Sequence, residues 1–160
     1  MMVNSQKGFS AIEMMVVVAI IAILASIAIP SQMGRIVKEQ VVAALPLADI
    51  AKEPITASWK ADKMLPADNK EANLPVPEKV VSNFVSALEV KNGVINITFG
   101  NKAHSKIAGK ILSLRPAVIE ESQIVPIAWV CGNAKAPDKM TIKGENKTTV
   151  PDAYLPQLCR

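Results

Sequence analysis

Gly8-Phe9-Ser10-Ala11-Ile12-Glu13 leads straight into an apolar run, Met14 to Ile29, that ends at Pro30. The sixteen residues from Met14 to Ile29 carry no charge. Counted from Phe9 the segment is 21 residues long, with Glu13 its only interruption. At about 1.5 Å per residue, a helix of that length crosses the ~30 Å hydrocarbon core of a bilayer. An ionised carboxylate in such a segment costs roughly 2.5–3.5 kcal/mol at the membrane centre and less near an end. Glu13 therefore needs a reason to be there. Upstream lie only eight residues with one charge, Lys7. A secretory signal peptide would have a shorter apolar core and a small-residue cleavage site after it. Pro30-Ser31-Gln32-Met33-Gly34 offers no clear A-x-A site. A plain signal anchor fits the length and charge but leaves Glu13 unexplained. Cleavage before the core, after Gly8, would instead keep the apolar helix in the mature chain. The positive-inside rule keeps Lys7 cytoplasmic and sends everything after Pro30 across the membrane.

The block resembles the prepilin signature of the type IV pilin superfamily. That signature is a short leader ending in Lys-Gly, then Phe, then Glu at the fifth mature position, then an apolar helix reaching a proline. The matches are Lys7, Gly8, Phe9, Glu13 and Pro30. The resemblance implies that residues 1–8 are a leader removed by a prepilin peptidase and that Phe9 becomes an N-methylated amino terminus. Residues 9–30 would be a transmembrane helix that later enters the filament core, and residues 31–160 a globular head. It also implies that Glu13 pairs with the Phe9 amine of a neighbouring subunit and sets axial register. The implied partners are further copies of the chain, the peptidase, an assembly machinery with an ATPase motor, and the inner membrane before assembly. The implied location is the inner membrane with the head in the periplasm, then the extracellular pilus. There the filament would serve adhesion, twitching motility or DNA uptake. No cofactor is expected.

At 160 residues the chain is one domain's worth. Half of it is hydrophobic, yet only six residues are Phe, Trp or Tyr. The formal charge of +4, or +3 once Lys7 leaves with the leader, is too mild to imply nucleic acid by itself.

Beyond Pro30, where a kink is expected, Val37, Val41, Ala44, Ala48, Ala51, Ile55 and Trp59 recur at three- and four-residue spacings, one stripe on a helix. Arg35, Lys38, Glu39, Asp49, Lys52 and Glu53 fall off it. The stripe passes Pro46 and Pro54 in phase, which predicts a continuous but kinked helix from about Phe9 to about Lys60, roughly 75–80 Å long. Residues 61–80, with Pro66, Pro75 and Pro77, read as a long connecting loop.

From residue 84 the period changes to two. Phe84–Val90 and Val94–Phe99 flank Asn92-Gly93, a type I′ hairpin signal. Lys110–Ile119 and Val125–Cys131 are two more strand candidates. Four antiparallel strands over about 84–131 need a cover, and the helix stripe supplies one. The fold class is α+β: a long kinked helix on a four-stranded antiparallel sheet, closed by a C-terminal loop. In the oxidising compartment that the resemblance implies, Cys131 and Cys159 can pair. Tyr154-Leu155-Pro156-Gln157-Leu158-Cys159 and Trp129-Val130-Cys131-Gly132 resemble the two ends of the type IVa pilin disulfide loop, here 131–159. In one departure, Gln32, Met33 and Arg35 stand where such pilins often carry aromatic residues.

No catalytic constellation emerges. His104 is the only histidine, which excludes His-based triads and multi-histidine metal sites. No phosphate-cradling glycine loop appears, and Asp138, Glu145 and Asp152 lack calcium-loop spacing. Asn96-Ile97-Thr98 and Asn146-Lys147-Thr148 match the glycosylation pattern by chance. A Cys131–Cys159 pair is structural, since no C-x-x-C is present. Lys135, Lys139, Lys143 and Lys147 fall four apart, as do Lys102, Lys106 and Lys110. They are candidate DNA contacts against the plainer reading of a solvated basic face, because Pro137 and Gly144 disfavour a helical ridge. The reading is a structural pilin. Its rivals are a DNA-receptor minor pilin, a type II secretion pseudopilin and a membrane-anchored enzyme.

Overall fold

The computed structural model describes residues 8–160, apart from the side chains of residues 28–31. The expected leader residues 1–7 lie outside the described residues, as does the side chain of Pro30, where a kink is expected; the backbone there is helical. The chain divides into two compact units, Met1–Arg35 and Ile36–Arg160.

In the first unit, helix α1 (Ala11–Ala44) begins at Ala11. Its apolar side chains from Ile12 to Ile27 are exposed. The helix is long and apolar enough to cross a membrane.

In the second unit, the rest of α1 passes through a 3-10 turn, Leu45–Ala48, into α2 (Asp49–Asp62). Helical residues therefore run unbroken from Ala11 to Asp62. Both prolines are absorbed in different ways. Pro46 sits in the first turn of the 3-10 segment, where few amides have an internal partner to lose. Pro54 lies inside α2. All seven stripe residues, Val37 to Trp59, are buried, and the charged residues off the stripe are exposed or half-buried. Burying each Val or Ile of the stripe is worth about 1.5–3 kcal/mol, enough to hold helix geometry through a lost backbone bond. Lys63, in the left-handed conformation at φ 54°, ends α2 by donating its N–H to Trp59 O.

The sheet is antiparallel in the order β1-β2-β3-β4: β1 Val85–Lys91, β2 Val94–Phe99, β3 Ile111–Val118 and β4 Ala128–Cys131. Asn92 and Gly93 join β1 to β2 with positive φ at both, 49° and 77°, as a type I′ turn requires. A two-residue strand, β5 (Thr141–Ile142), adds to the four expected and pairs with the end of β3. Pro116 lies in the middle of β3, between the stretch that pairs with β2 and the stretch that pairs with β5. A residue with no N–H is tolerated at such a changeover. Leu88, Val90, Ile95, Ile97, Phe99, Leu112 and Leu114 meet the helix stripe in one core. The disulfide loop covers part of the sheet as well. Thr149 exchanges bonds with Ile111, and the buried Ser113 hydroxyl donates to Asn96 and accepts from the Lys147 N–H.

Candidate functional site

The first candidate site is the start of α1. Ser10 O accepts the first intrahelical bond, from the Met14 N–H at 3.3 Å. The Ser10 hydroxyl accepts from the Glu13 N–H at 3.3 Å, and Glu13 Oε2 accepts from the Ser10 N–H at 2.8 Å. This is a reciprocal capping box, which fills two amides that a helix start leaves unpaired. Glu13 also sits where the helix dipole favours a negative charge, an effect of about 0.3–1 kcal/mol at an exposed site. The carboxylate is therefore oriented within its own chain. Gly8 and Phe9 are exposed just ahead of it, Phe9 at 85%. The Ser10 N–H and hydroxyl both lie downstream of the Gly8–Phe9 bond, so the cap does not depend on residues before Phe9. Ser10 is a site residue beyond those expected from the sequence, although S-x-x-E before an apolar run is a legible signal of such a cap.

The second is the C-terminal closure. Cys131 and Cys159 form a disulfide, and both are buried. Gly132 follows at φ 56°, and a Cβ there would sit 2.6 Å from Cys159 O. Only glycine allows the tail this close. The Arg115 Nη2 donates to Gly132 O and Ala134 O, holding the loop's first turn, and burial lowers the guanidinium's pKa from its ordinary value.

The third is the connecting loop over 61–80, organised by a residue whose importance the sequence did not disclose. Asn69 is 5% exposed. Its Oδ1 accepts from the Val90 N–H at 2.6 Å, and its Nδ2 donates to Leu88 O and Pro75 O, each at 2.9 Å. One side chain thus satisfies two groups on the outer edge of β1, which would otherwise be open for pairing with another chain.

The lysines share no helix. Residues 135–147 contain turns and β5, and Lys143 forms an ion pair with Glu120. That pairing lowers the Glu120 pKa, by the hydrogen bond first and the charge second. Lys135 and Lys139 are exposed and Lys147 is half-buried. Lys102 and Lys106 lie with His104 on the loop between β2 and β3, where His104 Nδ1 accepts from the Lys106 N–H. Asn96 of the first glycosylation triplet is buried within β2, 2% exposed. Among the described residues no group of three His, Cys, Asp or Glu side chains is placed to hold a metal ion.

Comparison with known proteins identifies one family. Residues 37–160 match the family model described as pilin (bacterial filament), and residues 3–29 match the prokaryotic N-terminal methylation motif. The fimbrial protein of Neisseria meningitidis serogroup B is 30% identical over 97% of this chain and 94% of its own. The type IV major pilin protein PilE1 of Neisseria gonorrhoeae is 32% identical over 97% and 87%. Fimbrial protein EcpC of Eikenella corrodens is 32% identical over 100% and 94%.

Proposed function

The chain belongs to the pilin family of bacterial filament proteins, and from that premise we propose how it is made and assembled. It is a structural subunit of type IV pili, and copies of it build the filament. The precursor is held in the membrane by α1 with its head on the far side. A prepilin peptidase cuts between Gly8 and Phe9, and Phe9 is methylated on its new amine. An ATPase-driven machinery then moves the subunit out of the lipid. Apolar side chains from Ile12 to Ile27 exchange lipid for the helices of neighbours, at little cost in apolar burial.

The observation that carries this reading is the Ser10–Glu13 cap at the head of an exposed apolar helix. It presents one carboxylate, preoriented, at the end where cleavage frees an amine. The amine has a reference pKa near 7.7–8.0, so it is largely cationic at neutral pH. Between subunits in an apolar core the pair holds register, because breaking a buried ion pair costs roughly 3–5 kcal/mol. The experiment replaces Glu13 and measures the ratio of sheared filament to membrane-held subunit. Glu13→Val should be expressed, inserted and cleaved yet enter filaments poorly, and Glu13→Asp should recover part of the assembly. Normal filament incorporation of Glu13→Val as the only copy would refute the role given to Glu13.

A further inference from the structure

We propose that Asn92 is a latent deamidation site, guarded by the connecting loop and converted to aspartate or isoaspartate when that loop opens. Asn92 is the only asparagine in the chain followed by glycine. It is exposed at the tip of the β1–β2 hairpin, while Gly93 is buried. Glycine has no Cβ to shield its backbone nitrogen or restrict its rotation, so this dipeptide closes a ring more readily than any other asparagine in the chain. In that reaction the Gly93 amide gives its proton to solvent base and its nitrogen attacks Asn92 Cγ. The bond from Cγ to the side-chain nitrogen breaks and ammonia leaves. Water then opens the five-membered succinimide at either carbonyl, leaving aspartate or isoaspartate at position 92.

In the folded head both requirements of that attack are blocked. The Gly93 N–H donates to Pro66 O at 2.8 Å, so its proton is withheld from solvent. The Asn92 N–H donates to Ala67 O at 3.1 Å and holds the preceding peptide group as well. Asn92 and Gly93, at φ 49° and 77°, form a type I′ turn, in which ψ of the first residue is about +30°. At that angle Gly93 N points nearly away from Asn92 Cβ, whereas ring closure needs the two eclipsed about the Cα–C bond. The peptide group would have to swing most of the way round.

Leu65 and Gly144 leave little room for that swing. A Cβ built on Gly93 would lie 2.8 Å from Leu65 Cβ, and one built on Gly144 would lie 2.1 Å from Val94 Cγ2 and 3.6 Å from Asn92 O. The turn is thus packed against residues 65–67, and Asn69, just downstream, ties the same loop to Leu88 and Val90. Opening of that loop is the event that frees the Gly93 amide. Isoaspartate carries the chain through its side-chain methylene, which adds one backbone atom to a two-residue turn. Lys91 and Val94 could then no longer pair in register, so one opening followed by reaction leaves a permanent mark.

The test incubates the full chain in detergent at mildly alkaline pH and follows the peptide containing Asn92 by mass spectrometry, with isoaspartate counted by enzymatic methylation. Hydrogen exchange at Gly93 is read on the same samples. Native wild type should convert at least about tenfold more slowly than the same chain reduced and denatured, since two hydrogen bonds must open first. Asn69→Ala and Leu65→Ala, each checked for a folded sheet by exchange across β2, should speed native conversion roughly fivefold by raising the open population. Gly93 exchange should rise by the same factor, because both reactions pass through one opening. Leu65→Ala removes no backbone partner, so it keeps the test decisive should Asn69→Ala fail to fold. Conversion of native wild type within about twofold of the denatured chain would overturn the proposal. So would unchanged conversion in a folded variant whose Gly93 exchange is faster, which would leave the turn alone as the guard.

Discussion

Removing the Asn69 side chain should loosen the whole edge of the head. Asn69→Ala leaves the Val90 N–H and the Leu88 carbonyl, both on residues buried in the core, without partners. An unsatisfied buried backbone group costs about 1–3 kcal/mol, so two of them set a range of roughly 2–6 kcal/mol. A groove lined by Leu74, Val76, Pro77 and Val90 opens beside Asn69. Water entering there would partly satisfy the exposed groups and keeps the expected loss in the lower half, about 2–3 kcal/mol. For a head of this size that is a fall in Tm of roughly 6–15 °C. The assay is thermal or urea unfolding of the full chain in detergent, with hydrogen exchange at Val90 as the local readout. Asn69→Asp sharpens the test. It keeps an acceptor for the Val90 N–H but turns a carboxylate oxygen towards the carbonyls of Leu88 and Pro75. Its folded pKa would be raised above the unfolded value near 3.9. The variant should therefore be most stable below that value and lose stability as pH rises through the folded pKa. An Asn69→Ala chain unfolding within 0.5 kcal/mol of wild type, with Val90 equally protected, would show that the edge is not held this way.

Two further outcomes follow from the closure of the fold. Cys159→Ser should cost about 3–4 kcal/mol. Hydrogen-exchange protection should be lost over 151–160 but kept near Thr148 and Thr149, which bond to β3 independently of the disulfide. Glu120 should titrate below an ordinary glutamate by NMR, and Lys143→Gln should return it to the usual range. The sign is that of a depressed carboxylate: whatever the pair contributes is present above the unfolded pKa and disappears as pH falls through the folded one.

The parts of the fold that were legible are those where periodicity had a single physical solution. The stripe from Val37 to Trp59 could be buried only as one helix face, and all seven residues are in the core. Asn92-Gly93 could join two alternating runs only as a tight hairpin, and both residues adopt positive φ. Asn69 was illegible because its partners lie six to twenty-one residues away, and its neighbours Asp68, Lys70 and Glu71 read as a solvated loop. β5 has only two residues, too few for alternation to register, and exists because β3 runs on past its pairing with β2. At the candidate assembly site, the cost of Glu13 in a membrane was plain from composition. The cap that Ser10 provides was readable from S-x-x-E spacing, though a carboxylate viewed as an anomaly obscured its ordinary role at a helix start.

The most direct measurement is the intact mass and amino-terminal sequence of the subunit recovered from filaments sheared off cells that make this chain. The main band should contain a chain that begins at Phe9, carries one methyl group on its amine, retains the apolar helix and contains the oxidised Cys131–Cys159 pair. A filament subunit still beginning at Met1 or Met2, or one cut after Ala28 so that the apolar helix is gone, would contradict the proposed processing.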